Sequence, residues 1–323
     1  MTLAIGIDIG GTGVKYGLVD ERGRILARQY DPLEATMPGA VLSEMIRIRA
    51  EAMIAGAQGD ILGVGLVMPG HVDPRTLRVI QGAENLPALS DVPIAADLGT
   101  ALGLPVEVGN DALAATLGEA RFGAGRAFRS FAMLTLGTGI GGGLMVDGRL
   151  VHGPGGQPPE FGAIVLDLGG AMNPHGQPGT LETIAGRAGF EAAFAREGVD
   201  GHDLKACFEA ARGGDDRAVR AVSSVARHIA QAIGMIVNAT CIRACVIGGG
   251  IGGAGPVLFD AIAKALPVSI WPALAQEFRI LPAERGNDAG LLGAVVPILD
   301  RGRAVSSDAG QFPNRDETGE PPA

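Results

Sequence analysis

Short apolar runs alternate with longer amphipathic stretches along this chain. Leu3-Ala4-Ile5-Gly6-Ile7-Asp8-Ile9 is apolar and rich in β-branched residues, which predicts a buried strand. Gly10-Gly11-Thr12-Gly13 predicts a tight turn, and Val14 to Asp20, alternating loosely, a second strand. Glu21-Arg22-Gly23 reads as a hairpin turn and Arg24 to Tyr30 as a third strand. This opening differs from a Rossmann unit, in which a helix follows the first glycines.

Residues 38–57 place Val41, Met45, Ile46, Ala50 and Met53 at helical spacing, predicting a helix. A buried strand is predicted over 61–68, ending in Pro69-Gly70, then a helix over 92–102. A strand over 106–108 runs into Asn110-Asp111, and a helix follows over 112–121. A second cycle starts near residue 130, with a strand over 130–136, the glycine run 137–143, a strand over 144–146, a turn at Asp147-Gly148 and a return strand over 149–151. Helices are predicted over 182–196, 203–212 and 215–238. A strand over 244–247 enters Gly248-Gly249-Gly250-Ile251-Gly252-Gly253, and the last helices cover 256–265 and 287–300. A strand–glycine turn–strand hairpin thus occurs twice, near 3–30 and near 130–151, which indicates two related halves built from α/β layers. The tail from about Val305 has no periodicity and is expected to be disordered.

Composition narrows the function. The 323 residues suffice for two domains or one large bilobal unit. Apolar residues make up 47% but aromatics only 4%, so the cores must be built from Ala, Val, Ile and Leu. The 52 glycines cluster, pointing to loops where backbone approaches a ligand. A net charge of −9 without any basic block argues against nucleic acid as a partner. Cys207, Cys241 and Cys245 are odd in number and include no second pair to complete a zinc site, so reduced thiols in a cytoplasmic protein are expected. No basic n-region precedes the first apolar run, and no uncharged apolar stretch reaches ~18 residues, so neither a signal peptide nor a membrane span is expected.

Three glycine loops carry the candidate chemistry. In Asp8-Ile9-Gly10-Gly11-Thr12, with Lys15 three residues on, turn glycines expose N–H groups suited to phosphate oxygens. Asp8 at the strand end would face a metal-bound phosphate through water; the alternative is a glycine hairpin with a structural Asp. Gly137-Thr138-Gly139-Ile140-Gly141-Gly142-Gly143 holds the matching place in the second half, so two facing hairpins would clamp a triphosphate. Gly248-Gly249-Gly250-Ile251 would admit a flat adenine or ribose, or is simply a strand-to-helix turn. None of the three matches a P-loop. Asn110-Asp111 ends a strand, where a carboxylate can accept the proton of an attacking hydroxyl, or where the pair can cap the helix beginning at Ala112.

Taken in order, Asp8-Ile-Gly-Gly-Thr12, Asn110-Asp111-Ala112, Gly137-Thr-Gly-Ile-Gly-Gly-Gly143, Glu160-Phe-Gly162, Leu181-Glu182 and Asp288-Ala-Gly-Leu-Leu-Gly293 resemble the ROK family (repressors, open reading frames, kinases), over about residues 3 to 300. The resemblance implies a two-domain actin-like ATPase fold of the hexokinase–actin–Hsp70 type, with ATP and sugar in an interdomain cleft. The expected boundaries are an N-terminal α/β domain over 1–112 with helix 287–301 packing back on it, a C-terminal α/β domain over 113–286, and a disordered tail over 305–323. The resemblance gives Asp111 the role of catalytic base and makes Asn85, Asn110, Asp111, Glu160 and Glu182 sugar-binding residues. Asp8, Gly10, Gly11, Thr12, Lys15, Gly137, Thr138, Gly139, Gly249 and Gly250 are the expected nucleotide-binding residues, with Mg²⁺ accompanying ATP. A homodimer is the expected assembly.

The chain also departs from that family. A His that usually follows Glu-x-Gly is replaced by Ala163, and the positions of three zinc cysteines hold Asn173, His175 and Thr180. A structural zinc needs four ligands, so none is expected. Pro158-Pro159 stiffens the approach to Glu160. The reading that follows is an ATP-dependent kinase acting on a hexose or hexose derivative at the C6 hydroxyl, glucokinase-like. The alternatives are a non-catalytic sugar- or nucleotide-binding relative and a kinase using polyphosphate as donor. A transcription regulator would need a helix-turn-helix ahead of the first strand, which starts by residue 3.

Overall fold

The computed structural model describes residues 1–73, 76–83, 86–154 and 156–308. Strands β1 (Thr2–Gly10), β2 (Gly13–Asp20), β3 (Ile25–Pro32), β4 (Asp60–Met68) and, beyond a small β5 (His71–Asp73) and β6 (Arg78–Gln81) hairpin, β7 (Val106–Asn110) make up the first half. The second half holds β8 (Phe131–Leu136), β9 (Ile140–Val146), β10 (Arg149–Leu150), β11 (Ala244–Gly248) and β12 (Arg279–Pro282). The strand orders are β3-β2-β1-β4-β7 and β10-β9-β8-β11-β12. Each sheet has an antiparallel meander on one side and parallel strands on the other. The internal repeat expected from the two hairpins is therefore present as topology.

Local chemistry explains the hairpins. The buried Asp20 carboxylate accepts the N–H groups of Arg22 and Arg24 at 3.0 and 2.8 Å and the Arg24 Nε–H at 2.6 Å, closing the β2–β3 turn. Because β1 and β8 are covered on both faces, they read as continuous apolar runs rather than alternating ones.

The helices are α1 (Gly39–Ala55), α2 (Ala88–Asp91), α3 (Ile94–Leu102), α4 (Asp111–Phe122), α5 (Leu181–Ala185), α6 (Arg187–Arg196), α7 (Leu204–Arg212), α8 (Asp216–Thr240), α9 (Gly249–Gly252), α10 (Pro256–Ala265), α11 (Pro272–Ala275) and α12 (Ala289–Asp308). With few aromatics, the helices close on small residues. A Cβ on Gly293 of α12 would lie 1.6 Å from the Ala114 carbonyl oxygen of α4, and one on Gly118 of α4 would lie 2.2 Å from that of Ala289. The two helices thus touch backbone to backbone, and many glycines serve packing instead of ligands. The second half has its own apolar core, in which Phe208 meets Phe190 and Phe194 edge-on at centroid distances of 5.3 and 5.7 Å.

Several expectations are corrected. The helix predicted over 182–196 is two helices, broken at Gly186, where a Cβ would lie 2.7 Å from the Glu182 carbonyl oxygen and 3.0 Å from that of Thr138. Gly141, Gly142 and Gly143 lie inside β9, not in a loop, because α4 and β8 press on them: a Cβ on Gly143 would be 2.3 Å from Thr116 Oγ1, and one on Gly142 2.2 Å from the Met133 carbonyl oxygen. Helix α12 extends to Asp308, four residues into the segment expected to be disordered, while residues 309–323 lie outside the described part. The β5–β6 hairpin, too short to show a pattern, and β12, which ends in Pro282, were not foreseen.

The chain passes from the first sheet to the second through α4 and returns from β12 through the turn Gly286–Asp288 into α12. Both passages meet at Glu119. Its fully buried carboxylate accepts from the N–H groups of Ala124 (2.7 Å), Glu284 (3.1 Å) and Arg285 (2.7 Å). The Arg285 side chain donates to the Phe122 carbonyl oxygen at 2.6 Å.

Candidate active site

The carboxyl ends of β1, β7, β8 and β11 carry the predicted loops, so the topology gathers them as open α/β sheets gather their sites. Asp8 near the end of β1 is buried. It accepts a hydrogen bond from Lys15 Nζ at 3.2 Å, and the same ammonium donates to the Asn287 carbonyl oxygen at 3.1 Å. Lys15, expected at the phosphates, thus links β1 to the turn ahead of α12. At Gly11 a Cβ would meet nothing within 4 Å and φ is not positive, so neither packing nor backbone geometry explains glycine there. Thr12 turns its carbonyl oxygen to Tyr30 Oη–H (3.0 Å) and the Leu33 N–H (3.0 Å).

Asp111 and Asn110 divide the two roles left open by the sequence. Asn110 is the N-cap of α4: its side-chain oxygen accepts from the N–H groups of Ala112 (2.9 Å) and Leu113 (3.0 Å), and its amide donates to the Gly70 carbonyl oxygen at 2.9 Å. Asn110 is buried and caps α4, a role compatible with the expected contact to a sugar. Asp111 is the first helical residue, and its Oδ1 accepts from the Ala112 N–H at 2.8 Å. Burial pushes the Asp111 carboxyl up to about 6, helped by the charge of Asp8 and opposed by hydrogen bonds from the backbone and Asn110.

The second glycine loop is a tight turn at Gly137–Gly139, closed by the Gly137 N–H donating to the Gly139 carbonyl oxygen at 3.0 Å. Glu182 in the first turn of α5 reaches this loop, its Oε2 accepting from the Ile140 N–H at 2.8 Å. The Glu160 residue keeps exposed surface, but its carboxyl group is partly withdrawn from water; that desolvation, and next the charge of Glu182, push the carboxyl up, while His71 and His175 pull it back down. Glu160 and Glu182 therefore lie close enough for their charges to act on each other. His71, at the start of β5, joins them from the first half of the chain and was not foreseen, since nothing in its sequence setting marks it. Ala163 ends a short 3₁₀ turn (Phe161–Ala163), its N–H donating to the Glu160 carbonyl oxygen at 3.1 Å. Asn85 lies outside the described residues.

The third loop opens a cleft of about 790 Å³. Gly249 and Gly250 line it together with Phe259, Ala263, Ile280 and Pro282, and with Asp260 and Asn287 as polar groups. Gly249 has φ +81° and its Cβ would lie 2.3 Å from the Leu136 carbonyl oxygen, so packing alone demands glycine there. At Gly250 a Cβ would meet nothing within 4 Å, as at Gly11. Phe259 and Ala263 from α10, and Ile280 and Pro282 from β12, were missed because apolar residues on a helix and a strand carry no motif. Among the described residues, no group of three or more His, Cys, Asp or Glu is placed to hold a metal ion, and no helix is long and apolar enough to cross a membrane.

Residues 4–300 match the profile of the ROK family. A glucokinase from Halalkalibacterium halodurans is 34% identical over 310 residues, which cover 90% of this chain and 92% of that protein. An N-acetylmannosamine kinase from Salmonella heidelberg is 33% identical over 295 residues, covering 90% of this chain and 97% of that one. A crystal structure of a ROK family glucokinase from Streptomyces griseus in complex with glucose and AMPPNP superposes with a TM-score of 0.76 at 32% identity, covering 90% of this chain and 97% of that one. The two-sheet architecture is thus the actin-like two-domain ATPase fold. The chain belongs to the ROK family.

Proposed function

We propose that this ROK-family sugar kinase transfers the γ-phosphoryl group of ATP to the C6 hydroxyl of a hexose or hexose derivative. The observation that carries the reading is Asp111, a carboxyl at the start of α4 whose proton affinity is pushed up to about 6 beside the second acid, Asp8. A general base works best when its pKa lies near the working pH. Asp111 takes the proton of the acceptor hydroxyl as its oxygen bonds to the γ-phosphorus and the bond from phosphorus to the ADP oxygen breaks. Products are ADP and a sugar 6-phosphate, the proton remaining on Asp111 until solvent removes it. Phosphoryl transfer otherwise needs mainly positioning and charge neutralisation.

The donor side follows from the three loops. The turns at Gly10–Gly13 and Gly137–Gly139 are the candidate sources of backbone N–H groups for the phosphates, the N–H of Gly137 itself being taken by the Gly139 carbonyl oxygen, with Lys15 adding charge beside Asp8. Mg²⁺ fits as an ion brought by the triphosphate, since the described residues build no metal cage of their own, and Asp8 would reach it through water. When bound it neutralises phosphate charge. The apolar cleft along Gly250, Phe259, Ile280 and Pro282 favours a nucleoside donor over polyphosphate, which has no base to bury there.

On the acceptor side, Glu160 and Glu182 supply paired carboxylates for adjacent hydroxyls. The similar proteins include a glucokinase and an N-acetylmannosamine kinase. Ala163 puts a methyl group where the resemblance predicts an imidazole, and that favours a hexose enlarged at C1 or C2, with His71 and His175 still near Glu160. An ATP-coupled assay over glucose, mannose, N-acetylmannosamine, N-acetylglucosamine and methyl glucosides tests the reading. Turnover with at least one is expected, and no ATP consumption with any of them would contradict it.

A further inference from the structure

The geometry points to Glu182 as a positioning residue that couples acceptor binding to the donor's phosphate loop. The inference rests on the kinase reading above and goes beyond it. Glu182 Oε2 accepts the Ile140 N–H at 2.8 Å. The carboxylate lies directly over the turn: a Cβ on Gly139 would be 2.5 Å from Oε2, so any side chain there would evict it. Oε1 stands farther off, 3.8 Å from the same point, so Oε2 is the oxygen set against the turn. The Glu182 residue is exposed and its charge acts on Glu160.

Two further contacts fasten the same loop to the acceptor side. The Arg187 N–H, at the start of α6, donates to the Gly137 carbonyl oxygen at 3.0 Å. A Cβ on Gly162 would lie 2.3 Å from the Ile140 carbonyl oxygen and 3.4 Å from Glu182 Cβ, so the Glu160–Gly162 segment abuts the turn as well. Ile140 therefore has its N–H on Glu182 and its carbonyl against Gly162. An acceptor hydroxyl donating to Oε1 fixes the carboxylate plane from one side, and the Ile140 N–H fixes it from the other. Ordering one end orders the other. Linkage makes the effect reciprocal: acceptor tightens nucleotide, and nucleotide tightens acceptor by the same factor.

Binding of AMPPNP with Mg²⁺ is measured by calorimetry with and without whichever hexose the substrate panel shows to be phosphorylated. In the native protein the hexose should tighten AMPPNP at least roughly 5-fold, the low end of ordinary coupling. Glu182→Ala should bring that factor to about 1 and weaken AMPPNP alone by roughly tenfold, as for one lost hydrogen bond to a charged group. Glu182→Gln keeps a carbonyl oxygen for Ile140, so AMPPNP alone should bind nearly as in the native protein while the coupling factor shrinks. Glu160→Ala should weaken the hexose and leave AMPPNP alone unchanged, separating loss of the acceptor site from loss of the tether. If Glu182→Ala fails to fold, the Gln variant decides by its coupling factor. A native coupling factor near 1, or coupling preserved in either Glu182 variant, would overturn the inference while leaving the kinase reading intact. A protein that binds neither ligand would remove both.

Discussion

The Arg285 N–H donates to Glu119 Oε1 at 2.7 Å across 166 residues of sequence, joining the two places where the chain passes between its sheets. The other oxygen of Glu119 holds the N–H groups of Ala124 and Glu284, so one carboxylate pins both passages. Glu119→Ala would leave three backbone donors without this acceptor and should cost roughly 3 kcal/mol or more, at about 1–3 kcal/mol per unpaired buried group. Glu119→Gln keeps one accepting oxygen but turns an amide toward a donor, so it should fall between. Denaturant unfolding at neutral pH checks both; an alanine variant as stable as the native protein would deny Glu119 this role.

Glycines of the three loop motifs should separate into two classes. Gly143→Ala places a Cβ 2.3 Å from Thr116 Oγ1 and should destabilise by about 1–3 kcal/mol through overpacking. Gly11→Ala and Gly250→Ala meet nothing within 4 Å, so stability should stay within about 0.5 kcal/mol. Both should weaken AMPPNP by roughly tenfold, a loss of backbone contact to a charged ligand. Melting curves and calorimetry on the three variants decide; unaltered AMPPNP binding in Gly11→Ala would remove that turn from the donor site.

How far the sequence carried differed by the kind of signal. Buried strands such as β1 and β8 were legible because apolar, β-branched runs bounded by glycines have few other readings. The repeat was legible because the same hairpin occurs twice. The roles of Gly141 to Gly143 were not, because whether a glycine faces a ligand or a neighbouring helix depends on what packs across it, here Thr116 and Phe161. Asn110 and Asp111 were legible as a pair, but the division into cap and carboxyl needs the helix start, one residue earlier than periodicity suggests. Phe259 and Ile280 reach the cleft, and His71 the neighbourhood of Glu160, from distant elements and carry no local mark.

Metal dependence should be confined to the nucleotide. The segment 165–180, where zinc ligands are lacking, is closed by hydrogen bonds: Asn173 Oδ1 accepts from the N–H groups of His175 (3.0 Å) and Gln177 (2.8 Å), and the Gly179 N–H donates to the Ala171 carbonyl oxygen at 2.8 Å. Strong chelators should leave the melting temperature unchanged, while turnover should need Mg²⁺. Stoichiometric zinc by elemental analysis, or melting lowered by a chelator, would contradict the expectation.

Asp111 should also leave a mark on stability. Its folded pKa of about 6 lies above the usual 3.8, so the folded state holds the proton more tightly than the unfolded chain. The sign follows: the group costs nothing below pH 3.8, costs progressively more as pH rises towards 6, and costs its full amount above that. Asp111→Asn should therefore gain stability at pH 7 relative to pH 4, on the order of 2 kcal/mol, at 1.36 kcal/mol per pKa unit. Unfolding free energies of both proteins at the two pH values test this; an identical pH response would place the Asp111 pKa near its ordinary value.

Removal of the base tests the account most directly. Asp111→Asn keeps the size of the side chain and an oxygen for the Ala112 N–H, but cannot take a proton. With the hexose that the native protein phosphorylates, kcat should fall by roughly 100-fold or more, the usual scale for losing a general base, while hexose and AMPPNP binding change little. The native kcat/KM, which reports the free enzyme, should itself decline as pH drops through about 6, where Asp111 takes up its proton. A variant that turns over at near-native rate would contradict the assignment of Asp111 as the base.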